Sequence, residues 1–343
     1  MENFTFSSTP FIGYENEVLE LLHRNRDEIF TKEYLRWRYL GETSPIAPVV
    51  FWVNNETGNR IGMCSFIFRK YWVNGEPIFF AVAGDTSLDE EYRGKGLAKK
   101  LFYFMNGYLE QNGLPFALAM ANESFCRAAS AAGWKIDQVI VPNVYILDWM
   151  LFIRRRVSNG FAIKIIGTIL NIFTGKNRTC RTDNCFTYTI ANGIDPSFDE
   201  FWDDFDKTNI IVKDRSAAVL QWRYDSLYKN TYSFFQVHKN GILSGYFIYT
   251  ISEKGVCSVS DFVMKDKSIV PSAVNLFVNY LKGLKRVGSV RIGINDRHPY
   301  SFNFKKLGFV KRKSEGCFMI YALDKNFFSN DFARFIAKGD KDI

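Results

Sequence analysis

Gly84-Asp85-Thr86-Ser87-Leu88-Asp89-Glu90-Glu91-Tyr92-Arg93-Gly94-Lys95-Gly96-Leu97-Ala98 is the stretch whose reading decides the fold of this chain. Upstream, Pro77 to Leu88 is rich in Phe, Ile and Val and predicts a strand. Downstream, Leu97, Leu101, Phe104 and Tyr108 recur at i, i+4, i+7 and i+11 and predict a helix. Between them an acidic turn leads into Arg-Gly-Lys-Gly. Gly94 and Gly96 leave no Cβ to block the approach of a ligand to the backbone. The helix start offers unpaired N–H groups and the positive end of a dipole. Strand, glycine turn and helix together make an anion site suited to phosphate, with charge added by Arg93 and Lys95. By itself such a turn is equally compatible with a plain strand-to-helix connection. Neither the Walker spacing nor the dinucleotide-binding fingerprint is present.

At this point the chain resembles the GNAT superfamily of acyl-CoA-dependent N-acyltransferases. Their pyrophosphate loop reads Arg/Gln-x-x-Gly-x-Gly/Ala, and Arg93-Gly94-Lys95-Gly96-Leu97-Ala98 fits it. The apolar residue five positions earlier, Leu88, also fits. So does the downstream order: strand Phe116 to Ala121, then Asn122, then a short helix ending at Ala132-Gly133-Trp134. The resemblance implies an α/β fold of the α+β mixed-sheet kind. It also implies acetyl-CoA as acyl donor, with pantetheine along Thr86, Ser87 and Leu88. The diphosphate would lie on the amides of Arg93, Gly94, Lys95, Gly96, Leu97 and Ala98, with Asn122 nearby. A backbone N–H near Leu88 would meet the charge on the thioester oxygen.

The length of 343 residues predicts roughly two domains. The composition, 47% hydrophobic and 17% aromatic, supports real cores rather than disorder. Met1 to Pro10 has no basic start followed by an apolar run, so no signal peptide is expected there, and the cytoplasm is the expected location. The six Cys form no Cys-x-x-Cys pair and are expected as free thiols. The three His, far apart in sequence, argue against a metal site or a His-based triad.

In chain order, Tyr14 to Phe30 predicts an amphipathic helix, and Thr31 is a suitable cap for a second one through Leu40. Pro48 to Val53 and Ile61 to Val73 predict paired strands. Asn74-Gly75 is a hairpin turn signal leading into the strand before the loop. Lys135 to Ile146 predicts a further strand.

After residue 186 the first half repeats. Trp222-Arg223-Tyr224 echoes Trp37-Arg38-Tyr39, and Ser258 to Met264, with Asp261, echoes Val82 to Leu88, with Asp85. Ala273 to Leu284 echoes the helix after the loop. Val290 to Asn295 echoes the strand after that helix, and Leu307-Gly308-Phe309 the closing Gly-aromatic pair. The loop itself is missing, because Ser268-Ile269-Val270-Pro271 stands where the glycines should be. The expected organisation is two tandem GNAT-like lobes, 1–150 with the acetyl-CoA site and 186–343 without a phosphate loop.

Residues 151–185 form a basic, apolar linker between them. Residues 151–182 hold Arg154, Arg155, Arg156, Lys164, Lys176, Arg178 and Arg181 and no acid, which is nearly all of the net charge of +8. Phe161 to Phe173 is too short to span a bilayer. Either it packs between the lobes behind a solvated basic face, the simpler expectation, or it lies on an anionic membrane surface.

Two catalytic positions common in the superfamily are altered here. The strand glutamate six residues before Leu88 is Val82, and the tyrosine four residues before the final Gly-aromatic pair is Ala129. Asp85 is the nearest acid and the catalytic candidate. Because Arg38 and Asp85 recur as Arg223 and Asp261, an internal ion pair joining helix to sheet is the competing explanation. Glu90 and Glu91 are expected in solvent, Trp37 and Trp222 in the core, and Ser124 as a helix cap.

The layout resembles the enhanced-intracellular-survival type of acetyltransferase, whose third, sterol-carrier-like domain is not expected after residue 330. In that type the chain's terminal carboxylate serves in catalysis, and Ile343 is not assigned the role. The expected activity is N-acetyl transfer to a primary amine of a small molecule, with an amino sugar preferred and no DNA partner. Two alternatives stay open: a Fem-like transferase using aminoacyl-tRNA, favoured by the basic linker, and a non-catalytic acyl-CoA-binding module.

Overall fold

A computed structural model describes residues 3–42, 44–154, 157, 160–175, 185–224, 231–295, 297–324, 332–337 and 340. The first lobe runs β1 (Thr5–Pro10), α1 (Glu15–Asn25), α2 (Lys32–Leu40), β2 (Val49–Asn54), β3 (Arg60–Val73) and β4 (Glu76–Leu88). It continues with α3 (Leu97–Gln111), β5 (Phe116–Ala121), α4 (Glu123–Ser130) and β6 (Lys135–Ile146). Two helices follow, α5 (Trp149–Ile153) and α6 (Gly160–Gly175). The second lobe begins β7 (Phe186–Ala191), α7 (Ser197–Asp203), β8 (Ile210–Lys213), α8 (Ala217–Tyr224), β9 (Ser233–Lys239) and β10 (Ile242–Ile251). It ends β11 (Val256–Met264), α9 (Val270–Gly283), β12 (Ser289–Asn295), α10 (Ser301–Lys306), β13 (Val310–Lys311), β14 (Gly316–Ala322) and β15 (Ala333–Phe335).

Local chemistry accounts for the elements that frame the loop. Asn74 and Gly75 both take positive φ, 51° and 85°, as a two-residue hairpin turn requires, and β3 and β4 pair in register on either side. The Thr31 hydroxyl caps α2 by accepting from the Tyr34 amide at 3.1 Å. Along α3, Leu97, Leu101, Phe102, Met105 and Leu109 form one buried face against the sheet. The predicted first helix stops at Asn25 rather than Phe30. Residues 26–30 instead bend back, held by His23, whose Nε2 accepts from the Phe30 amide at 3.2 Å.

One mixed sheet passes through both lobes, in the order β1-β2-β3-β4-β5-β14-β6-β12-β11-β10-β9-β7. The lobes exchange strands. β14, from the end of the chain, inserts between β5 and β6 and pairs antiparallel with both. β6 in turn pairs with β12 of the second lobe, from Ile146↔Ser289 to Ile140↔Asn295.

The two Trp-Arg-Tyr segments meet at the junction. Trp37 Nε1 donates to the Trp222 carbonyl at 3.0 Å, and Trp222 Nε1 donates to the Trp37 carbonyl at 2.9 Å. This reciprocal pair is what a pseudo-twofold relation between the lobes produces. Gly41 permits it, since a Cβ there would collide with the Trp222 indole. The tryptophans are half-buried and join the lobes, where the sequence suggested separate core anchors.

The expectation of six free thiols is corrected. Cys126 of α4 and Cys317 of β14 form a disulfide, with Cα atoms 7.7 Å apart, whereas Cys64, Cys185 and Cys257 are free. The strand exchange brings these partners together across 191 residues of sequence. Cys180, Arg155, Arg156, Lys176, Arg178 and Arg181 lie outside the described residues, as does Ile343. No described helix is long and apolar enough to cross a membrane.

Candidate acyl-CoA cleft

β4 and β5 are parallel neighbours, yet they pair only at Ala81↔Ala117 and Val82↔Leu118. Beyond that point the strands part, and a cleft of about 930 Å³ opens between them. Thr86, Ser87, Leu88, Arg93, Gly94, Gly96, Leu97, Ala98 and Asn122 all line it. Of the residues expected around the nucleotide, Lys95 alone does not, and its ammonium lies 5.1 Å from the Tyr92 ring.

The register aims one donor into this cleft. The Asp89 amide donates to the Ile61 carbonyl at 2.8 Å, so Asp89 and Ile61 form a hydrogen-bonded pair. Antiparallel ladders alternate, so the next pair, Leu88↔Gly62, is a non-hydrogen-bonded one. The Leu88 N–H and C=O therefore turn away from β3, toward the gap. The carbonyl accepts from Arg93 Nε at 2.9 Å, and Arg93 Nη2 reaches Asn25 at 2.9 Å. Arg93 thus fastens the loop to its strand and to α1.

At the helix end, Gly94 and Gly96 take φ of +81° and +76°, and a Cβ on either would meet no atom within 4 Å. The space beside them is open, and the left-handed backbone is what requires glycine. Gly96 is the N-cap of α3 and brings no capping side chain, so the first amides of the helix face the cleft. Lys99 and Arg127, which the sequence reading missed, also line the cleft. Lys99 lies one turn into α3, a spacing from which it could have been inferred. Asn122, and not Ser124, caps α4, with its Oδ1 accepting from the Phe125 amide at 2.9 Å.

Asp85 sits at a bulge of β4, where the register shifts, with φ +54°. Its carboxylate is fully enclosed. Arg38 Nη1 donates to it at 2.9 Å, Arg26 Nη1 lies at 3.3 Å, and the Tyr39 hydroxyl is 2.9 Å from the other oxygen. Burial, and then the Asp85 charge, hold the Tyr39 hydroxyl well above the usual phenol range, so it stays a donor. The geometry is that of an ion pair binding α2 to β4. Cys64, under the same bulge, is pushed up to about 12 by burial and is no nucleophile near neutral pH. Val82 lines the floor of the cleft, and Ala129 is buried in α4. Over the mouth stand Arg26, Glu28 and Phe30 from the bent segment, with Asp340 from the end of the chain.

The second lobe repeats the frame and fills the gap. Lys265 donates to the Ser244 carbonyl at 2.8 Å, so Met264↔Gly245 is the non-hydrogen-bonded pair, as Leu88↔Gly62 is in the first lobe. Both partners are glycine, a correspondence the sequence comparison did not find. Here the outward amide is taken. The Tyr300 hydroxyl accepts from the Met264 N–H at 3.1 Å and donates to the Met264 carbonyl at 2.7 Å. His298 and Phe335 pack beside Tyr300. In place of a glycine turn, the Asp266 carboxylate accepts from the Ser268 amide at 2.6 Å and caps the short turn Lys267–Ile269, which leads through Pro271 into α9. Arg215 joins the expected Arg223 beside Asp261: its guanidinium donates to the Asp261 carboxylate at 3.0–3.3 Å, and the Arg223 charge acts on the same carboxylate.

No family model and no curated protein matches the sequence. Solved structures do match in fold. A GCN5-related N-acetyltransferase from Anabaena variabilis superposes with TM-score 0.66 at 13% identity, covering 94% of this chain and 73% of that one. Eis1 from Mycobacterium abscessus gives 0.58 at 13% identity over 94% and 74%. The Saccharomyces cerevisiae N-myristoyltransferase with bound myristoyl-CoA gives 0.53 at 13% identity over 93% and 82%. The chain therefore shares the fold of these acyltransferase structures, arranged as the two lobes described above.

Proposed function

We propose that the protein is an acyl-CoA-dependent N-acyltransferase, with acetyl-CoA the donor and a primary amine of a small molecule, such as an amino sugar, the acceptor. One observation carries this reading. The strand gap, an outward Leu88 amide and a glycine helix start adjoin one another in the first lobe, while in the second the Tyr300 hydroxyl takes the outward amide and no glycine directly precedes α9. The residues fit the donor. The amides of Gly96, Leu97 and Ala98 would hold its diphosphate, with Lys99 and Arg127 adding charge, and Thr86 to Leu88 would hold its arm by an extended edge.

The donor supplies a thioester carbonyl. The Leu88 N–H would meet the negative charge that grows on that oxygen as the amine attacks, a preorganised stabilisation that is usually a large catalytic contribution. The new bond is C–N, the broken bond is C–S, and the thiolate takes a proton at the end. Asp85 acts as a positioning residue that fixes the bulge from which Leu88 is aimed. With valine and alanine at the superfamily's usual glutamate and tyrosine positions, proton movement runs through water at the cleft mouth.

The test is thiol release from acyl-CoAs of increasing chain length against a panel of amines. Amine-dependent release with acetyl-CoA is expected. Binding without release under any amine would instead mark an acyl-CoA-binding module, and preference for a long chain would correct the donor.

A further inference from the structure

We infer that α6 docks the protein onto an anionic lipid surface. The helix is held in one orientation. Asn171 Nδ2 donates to the Asp148 carboxylate at 3.2 Å, and the Trp149 amide donates to Asn171 Oδ1 at 2.9 Å. Gly167 presses so closely on α5 that a Cβ there would meet the Met150 Cα at 2.9 Å. Ile163 and Gly167 thereby face inward.

The opposite face is apolar. Phe161, Ile165, Ile166, Ile169 and Ile172 are 45–77% exposed. Phe161, Ile165, Ile169 and Ile172 recur at four- and three-residue spacings and form one stripe. An outward stripe of this kind inverts the usual arrangement of a surface helix and marks an interaction site. Arg154 and Lys164 are exposed as well.

Charge selects the occupant. Residues 151–182 contain seven Lys and Arg and no acid, with Arg154 and Lys164 among those described. A second copy meeting this face about a twofold axis would bring cationic segment to cationic segment, with no acid in either to offset it. An anionic bilayer supplies an apolar layer for the isoleucines and negative headgroups for the flanking charge. The helix is about 24 Å long at 1.5 Å per residue, and no described helix is long and apolar enough to cross a membrane, so α6 lies in the interface plane.

The test is sedimentation of the full chain with phosphatidylcholine vesicles, with and without roughly one-third phosphatidylglycerol. We expect partition onto the anionic vesicles about tenfold or more above the neutral ones, falling as salt is raised. Lys164→Ala should weaken it about fivefold. The triple variant Ile165→Ser/Ile169→Ser/Ile172→Ser should abolish it while acetyl-CoA binding and melting temperature stay at wild-type values. Wild-type protein that remains in the supernatant with anionic vesicles overturns the inference, as does a triple variant that pellets normally. A wild-type dimer in light scattering that the triple variant dissolves, without vesicle binding, would assign the face to a second copy and likewise overturn it.

Discussion

Replacing Asp85 by asparagine deletes one charge from the pair that ties α2 to β4. Asparagine tolerates the left-handed backbone at this position, so the substitution changes charge with little added strain. The Asp85 side chain is 0% exposed and that of Arg38 7%, so water does little to soften the loss. Removing one partner of such a buried pair costs about 3–5 kcal/mol. Arg26 is 31% exposed and can turn to solvent, and the asparagine oxygen still accepts one hydrogen bond. The lower end, about 3 kcal/mol, is therefore expected. Urea denaturation should show the midpoint fall with an unchanged slope. Arg38→Met should cost a similar amount. Arg38→Met/Asp85→Asn should fall short of the sum of the two single losses by at least about 2 kcal/mol, because the residues share one interaction. A loss below about 1 kcal/mol for Asp85→Asn, or additive single effects, would refute the ion-pair argument. An Asp85→Asn protein that keeps wild-type stability and acetyl-CoA binding but no longer turns over would make Asp85 the base instead.

Two further outcomes follow from the closed second lobe. Burial, and then the Arg215 charge, push His298 down to about 3, so the folded protein keeps it neutral while the unfolded chain protonates below pH 6.5. Its contribution is fully present above pH 6.5 and is lost as pH falls toward 3, amounting to about 2 kcal/mol by pH 5 at 1.36 kcal/mol per unit. Stability measured from pH 7 to 5 should flatten by that amount in His298→Gln, and an unchanged slope would contradict the burial argument. Tyr300→Phe removes both hydrogen bonds to Met264 and should cost about 1–3 kcal/mol in urea, while acetyl-CoA still binds with one site per chain. A second binding site opened by this variant would show that Tyr300 alone closes the cleft.

Much of the first lobe was legible because its signals are local. The Asn74-Gly75 turn, the α3 periodicity and the glycine pair each act within a few residues, and β5 and β6 run as expected from Phe116 to Ala121 and from Lys135 to Ile146. The repeat was legible through Trp-Arg-Tyr and Asp261, though the second arginine at Asp261 was not. Arg215 carries no motif, and only the fold brings it beneath β11. The insertion of β14 between β5 and β6, and with it the approach of Cys317 to Cys126, joins segments nearly 200 residues apart without a local signature. The early end of α1 has the same origin. The polar pattern from Arg26 to Phe30 suits a helix, but Arg26 is drawn to Asp85 and Phe30 into the core. Those tertiary contacts turn the segment over the cleft. The role of the Leu88 amide was implied by resemblance, and its direction became visible only through the ladder register.

Isothermal titration of the wild-type chain and of Gly96→Trp with acetyl-CoA tests the central claim most directly. An indole at Gly96 enters space that no protein atom occupies within 4 Å of a Cβ, so the free fold bears mainly the left-handed backbone penalty of about 1–2 kcal/mol. Wild-type protein should bind one equivalent, and Gly96→Trp should lose binding while still unfolding cooperatively. Normal acetyl-CoA binding by folded Gly96→Trp, or two equivalents bound by the wild type, would contradict the account.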